Sequence, residues 1–182
     1  MEVDKRSYVV LVQGETGTCK TTLGLTFPKN LAYFELDLGG FDRVKRRFKE
    51  DIKTRRIAHK QYELPQQVIE DQLGLAPANR ILGIRELWYE ILTDYIAALK
   101  NPEVSTIMFD SGAFLWEICH LGLLQEKQEE AERKKEKREQ LIEIEYGIAN
   151  TKMRTLIYQA KRLKKNLILT APMTDVRQNQ FI

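Results

Sequence analysis

Four apolar segments of the chain predict buried β-strands, and the stretches between them predict helices. The strands are expected at residues 8–13, 31–36, 105–110 and 166–171. Each segment is apolar along most of its length instead of alternating with polar residues, which is typical of parallel strands covered on both faces. We expect residues 8–13 in particular to be buried on both faces. Strands alternating with helices predict an α/β fold with a parallel sheet flanked by helices.

Apolar residues at helical spacing predict two long helices, over 87–99 and over 149–165. In the first helix, the large side chains of Trp88 and Tyr95 are expected to be part of the core rather than a ligand platform. The pair Tyr146-Gly147 is expected to end the charged segment that precedes the second helix.

The length of 182 residues suits a single domain. Residues 43–83 are expected to be an insertion with a short helix, residues 113–145 a solvent-exposed charged helical arm, and residues 174–180 a polar, mobile tail. No apolar run reaches the roughly 18 residues of a membrane span, and the first residues lack the apolar core of a signal peptide. Two cysteines do not make a disulfide framework, so a cytoplasmic location is expected.

Residues 14–22 follow the first strand and have the layout of a phosphate-binding loop. In such a loop, backbone N–H groups surround the phosphates, and the helix expected over residues 20–26 adds partial positive charge. Lys20 is expected to reach the β- and γ-phosphates, and Thr21 to place its hydroxyl on Mg²⁺. The predicted site for ATP and Mg²⁺ therefore comprises Gly14, Glu15, Thr16, Gly17, Thr18, Cys19, Lys20, Thr21 and Thr22.

One position departs from the loop motif, because Cys19 stands where the motif has glycine. Glycine at this position lets the backbone lie close to the phosphates with no side chain between them. Two alternatives to a working site stay open. The segment is either a chance glycine-rich turn before a helix, or a phosphate-binding loop that no longer holds a nucleotide.

Three further residues are candidates because they follow strands at the edge of the sheet where ligands gather. Asp37 comes after the second strand, two residues beyond Glu35, and is a candidate to activate water; its alternative role is that of a helix cap or a turn residue. Asp110 ends the third strand and is expected to hold Mg²⁺ beside Thr21. Thr170 ends the fourth strand, either as a sensor of the γ-phosphate or as a hydroxyl that bonds backbone.

The positive charge of the chain is concentrated in residues 43–60, which carry nine lysines or arginines and two acids. Val44, Phe48 and Ile52 recur every four residues there and predict one helix over 41–56 with a narrow apolar stripe. A helix that is basic on its other faces can lie along a nucleic-acid backbone. The alternative is a solvated surface helix.

Taken in order, these motifs resemble those of the RecA-like ATPases, and most of all the small phage-encoded RecA-like ATP-binding proteins of single-strand annealing and recombination. The matching pieces are residues 14–22 with Phe27-Pro28, residues 35–40, and Asp110-Ser111. The resemblance implies the strand order 1-4-3-2, assembly into filaments or rings, and ATP hydrolysis. It also implies that Asp37 occupies the position of a catalytic glutamate, and that Thr170 matches the sensor region.

The expected function is therefore that of a Mg-ATP-binding RecA-like ATPase of phage or prokaryotic origin that acts on DNA. A second hypothesis is an interaction module without hydrolysis, which binds DNA or a protein partner and keeps a relic of the loop. A third is a small-molecule P-loop kinase, which would need an arginine-rich lid and an acceptor pocket.

Overall fold

The protein is an α/β structure in which five parallel strands form one sheet flanked by helices. The computed structural model describes residues 6–37, 39–72 and 80–173, so the tail predicted at 174–180 lies outside the described residues. Its strands are β1 (Val9–Gly14), β2 (Leu31–Glu35), β3 (Ile57–Gln61), β4 (Thr106–Asp110) and β5 (Asn166–Pro172). Its helices are α1 (Lys20–Gly24), α2 (Gly40–Val44), a 3-10 turn (Lys45–Phe48), α3 (Lys49–Lys53), α4 (Gln66–Gln72), α5 (Ile84–Lys100), α6 (Gly112–Arg133) and α7 (Glu143–Arg162).

The strands lie in the order β1-β5-β4-β2-β3, and every described pair is parallel. The strands predicted at 8–13, 31–36, 105–110 and 166–171 correspond to β1, β2, β4 and β5. The sequence analysis missed β3, which lies inside the segment 43–83 and pairs with β2. All strands point the same way, so their carboxyl ends meet at one edge of the sheet.

Alternate residues of the central strands enter two separate cores, one on each face of the sheet. Ile107 and Phe109 of β4 belong to the larger core, which α5, α6 and α7 cover. Met108, between them, belongs to the smaller core with Leu25 and Phe41. This alternation follows from the period of two in a strand, and it explains why β4 is buried along its whole length.

The prediction that the first strand is buried on both faces is wrong. Within the described residues β1 pairs with β5 alone, so it is an edge strand. Leu11 is 56% exposed, and Tyr8, just before the strand, is 58% exposed. A continuous apolar run does not by itself distinguish a central strand from an edge strand, because partial cover from one helix is enough to favour apolar residues.

The single helix predicted over 41–56 is also wrong, because this segment is broken into α2, the 3-10 turn and α3. The predicted apolar stripe is nevertheless confirmed, since Val44, Phe48 and Ile52 all pack against the smaller core. The chain then reverses at Arg55, which has a positive φ of 56°, and enters β3. The basic segment therefore lies against the sheet with its apolar side inward.

The charged region predicted as an exposed arm is buried in part: α6 packs on the body of the protein, whereas residues 132–137 are exposed. Gln125, Gln128 and Ala131 of α6 are buried. The amide oxygen of Gln125 accepts a hydrogen bond from the backbone N–H of Arg85 at 3.0 Å, and the Arg85 guanidinium pairs with Glu129. Polar side chains are buried here because they hydrogen-bond to a neighbouring helix.

The last long helix begins earlier than predicted, at Glu143, and continues through Gly147. The Glu145 carboxylate accepts a hydrogen bond from the backbone N–H of Ile142 at 2.9 Å, which stabilises this start. The core positions of Trp88 and Tyr95 are confirmed, at 2% and 1% exposure. In the described ranges no helix has the length and apolar character needed to cross a membrane.

Candidate functional site

A polar cavity of about 280 Å³ lies at the carboxyl ends of the strands. One of its walls is the loop between β1 and α1. The other is formed by the residues after β2, the start of α2 and the 3-10 turn, with Asp110 at the end of β4. Its lining residues are Thr16, Gly17, Thr18, Cys19, Lys20, Thr21, Thr22, Asp37, Gly40, Arg43, Val44, Arg47 and Asp110.

The loop between β1 and α1 is held in a curled form by its own hydrogen bonds. The Thr18 hydroxyl donates to the carbonyl of Glu15 at 2.8 Å, and the Thr18 N–H donates to the same oxygen at 3.3 Å. The Lys20 ammonium donates to the carbonyls of Gly14 and Glu15 at 2.7 and 2.8 Å. A side chain at Gly14 would approach the Thr18 hydroxyl to 2.5 Å, so this glycine is required by close packing.

Cys19 has a left-handed backbone conformation, with φ of 64°, and its side chain is exposed at the cavity. Gly17 has a similar φ of 86°, which glycine adopts without strain. In this left-handed conformation a residue with a Cβ atom, such as Cys19, is disfavoured relative to glycine by about 1–2 kcal/mol. The loop motif therefore has a conformational reason for glycine at position 19, in addition to the approach of phosphate that the sequence analysis considered.

The curled loop leaves a row of backbone donors without an acceptor among the described residues. Among the described residues, none accepts a hydrogen bond from the N–H groups of Cys19, Lys20, Thr21 or Thr22. Unpaired backbone donors beside a cavity are available to an anion or to water. The loop thus has the donors that its sequence predicted.

Asp110 connects the loop to three strands through its carboxylate. The Thr21 hydroxyl donates to Asp110 Oδ2 at 2.6 Å, and the Tyr33 hydroxyl donates to the same oxygen at 3.1 Å. The Thr170 hydroxyl donates to Asp110 Oδ1. The structure therefore brings together Thr21 of α1 and two strand residues, Asp110 and Thr170. It also adds Tyr33, which the sequence analysis did not select.

Thr170 is fully buried, and its hydroxyl bonds a carboxylate rather than backbone. It is not among the residues that line the cavity. Tyr33 is also buried, and burial together with the charge of Asp110 raises the pKa of its hydroxyl. Tyr33 therefore stays protonated and donates to Asp110. Its only signal in the sequence is its position two residues before Glu35, on the same face of β2.

Asp37 lines the cavity from the side opposite the loop. Its backbone N–H donates to the carbonyl of Asp110 at 3.0 Å, which fixes the chain just beyond β2. Partial burial raises the pKa of the Asp37 carboxyl, and the nearby Asp110 carboxylate raises it further. Of its two alternative roles, the helix cap is not observed, since α2 has Gly39 as its N-cap and no side-chain bond there, but Asp37 does lie in the bend that follows β2.

Glu35, two residues earlier, is buried and already has partners. One carboxylate oxygen accepts from the backbone N–H of Phe41 at 2.8 Å, and the other lies 2.8 Å from Nε2 of His59. A Cβ atom at Gly40 would approach the carboxylate oxygens of Asp110 and Glu35 to 3.3 and 3.4 Å. Glu35 therefore lies behind the cavity wall, and Asp37 is the acid that reaches the cavity.

The predicted metal ligands are one hydroxyl and one carboxylate, those of Thr21 and Asp110. Across residues 6–37, 39–72 and 80–173, no group of three or more His, Cys, Asp or Glu gathers in one place as a metal site. Two arginines, Arg43 and Arg47, line the cavity together with Lys20. They belong to the basic segment that the sequence analysis considered for nucleic acid.

A second, larger concavity of about 800 Å³ lies between α5 and α7. Its walls are mainly apolar and include the exposed side chains of Ile96, Ile144 and Ile148. Two of its charged residues, Lys152 and Glu126, pair with each other at 3.8 Å. None of the residues selected from the sequence as functional lines this groove.

No model of a known protein family matches this chain, and no curated protein matches it. The cavity beside the loop and the residues that form it are therefore the features that indicate a function.

Proposed function

We propose that the protein is a P-loop nucleotide-binding protein of RecA-like type that binds Mg-ATP in the cavity beside residues 14–22. The observation that carries the proposal is the 2.6 Å hydrogen bond between the hydroxyl of Thr21 and the carboxylate of Asp110. These residues are 89 positions apart, and they are the pair expected to share the metal of a bound nucleotide. The order β1-β5-β4-β2 within the sheet supports the RecA-like type.

The donor set fits Mg²⁺, because this ion takes oxygen ligands and is usually bound by one or two protein groups together with phosphates and water. Thr21 and Asp110 would hold it, and when bound it would neutralise charge on the β- and γ-phosphates. The free N–H groups of residues 19–22 would bind phosphate oxygens. Lys20, now bonded to two loop carbonyls, would exchange these partners for the phosphates.

We propose that the reaction is hydrolysis of ATP to ADP and phosphate. The Asp37 carboxylate would orient the attacking water and accept a proton from it. Its position on the cavity and its raised pKa favour this role, because a general base is most effective when its pKa approaches the working pH. Thr170 would act indirectly, since it holds Asp110 in place.

The first experiment is a titration with labelled ATP and Mg²⁺ of the wild type and two variants. Lys20→Ala should abolish binding, whereas Lys53→Ala should not, because Lys53 is an exposed lysine that does not line the cavity. Bound ATP should also protect the exposed Cys19 thiol from alkylation. Equal binding by wild type and Lys20→Ala would overturn the proposal.

The second candidate function is an interaction module that does not hydrolyse ATP. The left-handed conformation of Cys19 favours it, because a side chain at this position stands at the cavity where glycine would leave room. Binding of ATP by Cys19→Gly but not by the wild type would support this candidate. This candidate would also be supported if neither the wild type nor Cys19→Gly hydrolysed ATP above the background rate.

A phage origin, self-assembly and a role in recombination or annealing are parts of the proposal that rest on the resemblance alone, whereas binding to nucleic acid is also favoured by the basic segment 43–60. A single-stranded oligonucleotide should bind with an affinity that falls steeply as salt rises, and it should change the rate of ATP hydrolysis. Binding that is insensitive to salt, or hydrolysis that is insensitive to the oligonucleotide, would contradict this part.

A further inference from the structure

Two of the nine cations in residues 43–60 are directed to the cavity beside the loop. Arg43 in α2 and Arg47 in the 3-10 turn are four residues apart and both line it. Other cations of the segment have partners elsewhere. Lys45 pairs with Asp42 at 2.7 Å, Arg56 with Asp51 at 3.4 Å, and Lys60 with Glu90 and Asp94 at 2.7 and 2.5 Å.

The two arginines also have unused donors. Four other cations of the segment form no ion pair with the described acids either, but unlike Arg43 and Arg47 they do not line the cavity; these are Arg46, Lys49, Lys53 and Arg55. The Arg43 Nε atom donates to the carbonyl of Gly39 at 3.0 Å, which fixes the base of the guanidinium and leaves its terminal nitrogens available. Among the described acids, none forms an ion pair with Arg43 or Arg47. Guanidinium groups bind phosphate oxygens well because their planar donors match two oxygens at once.

The charged side chains that line the cavity are three cations against two carboxylates, a small excess of positive charge that favours an anion. Three cations line it, namely Lys20, Arg43 and Arg47, and two carboxylates, Asp37 and Asp110. One of these carboxylates already accepts three hydroxyl donors. The loop supplies the donors on one wall, and the arginines supply charge on the wall formed by α2 and the 3-10 turn. The loop donors and the two arginines therefore belong to different walls of one cavity.

We propose that Arg43 and Arg47 bind the terminal phosphate of the nucleotide and make the site selective for triphosphate over diphosphate, an inference that rests on the proposed function. The third phosphate carries the additional negative charge that these cations would neutralise. The basic segment 43–60 would then bind the nucleotide through these two residues. Its remaining cations are not part of this proposal.

The test measures dissociation constants for Mg-ATP and Mg-ADP in the wild type, Arg43→Gln, Arg47→Gln and the double variant. Each single change should weaken ATP binding by about tenfold or more, the usual effect of losing a hydrogen bond to a charged group, and should leave ADP binding nearly unchanged. Arg46→Gln is the matched control, since Arg46 is exposed in the same turn but does not line the cavity.

An equal loss for ATP and ADP, or no more loss than in Arg46→Gln, would overturn the inference and leave the proposed function standing. A wild type that binds neither nucleotide would overturn both. A single-stranded oligonucleotide is titrated in parallel. If Arg43→Gln and Arg47→Gln weaken its binding but leave the ratio of ATP to ADP affinity unchanged, the two arginines bind nucleic acid and the inference is wrong. Melting temperatures check that each variant is folded.

Discussion

The two concavities of this protein differ in size and in chemistry, and polar and charged side chains predominate in the smaller one. The groove between α5 and α7 is nearly three times larger, about 800 Å³ against about 280 Å³, and it is lined mainly by apolar side chains. The small cavity combines two carboxylates, hydroxyls, three cations and unpaired backbone N–H groups. The volume of a concavity in this protein therefore does not indicate its capacity to bind a charged ligand.

The difference arises from how each wall is built. The groove is formed by two helices of 17 and 20 residues, whose backbone groups are hydrogen-bonded within each helix. The cavity is formed by a loop and by strand ends, where backbone groups are left over. Substitutions at the groove should therefore change stability, whereas substitutions at the cavity should change binding or local electrostatics.

The largest expected effect is on stability, at the floor of the groove. Trp88 is 2% exposed and belongs to the larger core. Trp88→Ala should lower the free energy of unfolding by about 3–5 kcal/mol, because it leaves a cavity in the core. Tyr89→Ala, next to it and half exposed, should lower it by less than about 1 kcal/mol. Urea denaturation of both variants measures this. Equal losses of unfolding free energy in Trp88→Ala and Tyr89→Ala would contradict the assignment of Trp88 to the core.

A smaller effect on stability is expected behind the cavity. Thr170→Val keeps the shape of the side chain and removes the hydroxyl that donates to the buried carboxylate of Asp110. The loss should be about 2 kcal/mol, the usual contribution of a hydrogen bond to a charged group. Thr155→Val is the control, since this exposed threonine bonds only a carbonyl of its own helix. Equal unfolding free energies for the two variants would contradict the role of Asp110 as a centre of this network.

A gain in stability is expected in the loop. Cys19→Gly should raise the free energy of unfolding by about 0.5–1 kcal/mol, because glycine relieves the left-handed strain and loses part of the gain to chain entropy. Cys19→Ala keeps the strain and should give no gain, which makes it the matched control. If both variants were equally stable, the strain at this position would be absent.

The smallest effect is a pH dependence from Asp37. Because its pKa is raised in the folded state, the folded protein holds the proton more tightly than the unfolded chain. Its contribution to stability therefore falls as pH rises above the ordinary pKa of about 3.9. Between about pH 3.5 and 7, the unfolding free energy of Asp37→Asn should increase relative to wild type as pH rises.

The Asp42→Asn variant should show the opposite pH dependence of its unfolding free energy relative to wild type. The hydrogen bond from Lys45 lowers the pKa of the Asp42 carboxyl, so this carboxylate stabilises the folded state above about pH 3.9 and loses that effect as pH falls. The Asp42→Asn variant should thus become less stable than wild type as pH rises. The same trend in both variants would contradict the assignment for Asp37.

The sequence predicted the loop, Asp110 and four strands, because each has a local pattern that lies on consecutive residues. It did not predict β3, whose residues Ile57–Gln61 include His59 and Lys60 and look polar. This strand pairs with β2 alone among the described residues, so part of it can be polar. Tyr33 was missed for a different reason. Its contact with Asp110 spans 77 residues, and its position two residues before Glu35 does not indicate that contact.

Helix boundaries were also difficult to predict, and Gly147 shows why. Glycine disfavours a helix by about 1 kcal/mol relative to alanine, which led to a predicted break. The helix continues because residues on both sides of it pack on its neighbours, among them the buried Glu145 and Ala149. Tertiary packing outweighs a local preference of this size.

The pairing of β1 with β5 has a consequence for the newly made chain. The backbone N–H of Tyr8 bonds the side chain of Asn166, 158 residues later, and β5 is the neighbour of β1 in the sheet. A ribosome needs roughly 8–30 s to synthesise that distance at typical speeds. During this interval the apolar segment Val9–Gly14 has been translated but has no strand to pair with. We expect it to be the segment of the nascent chain that most needs protection from aggregation.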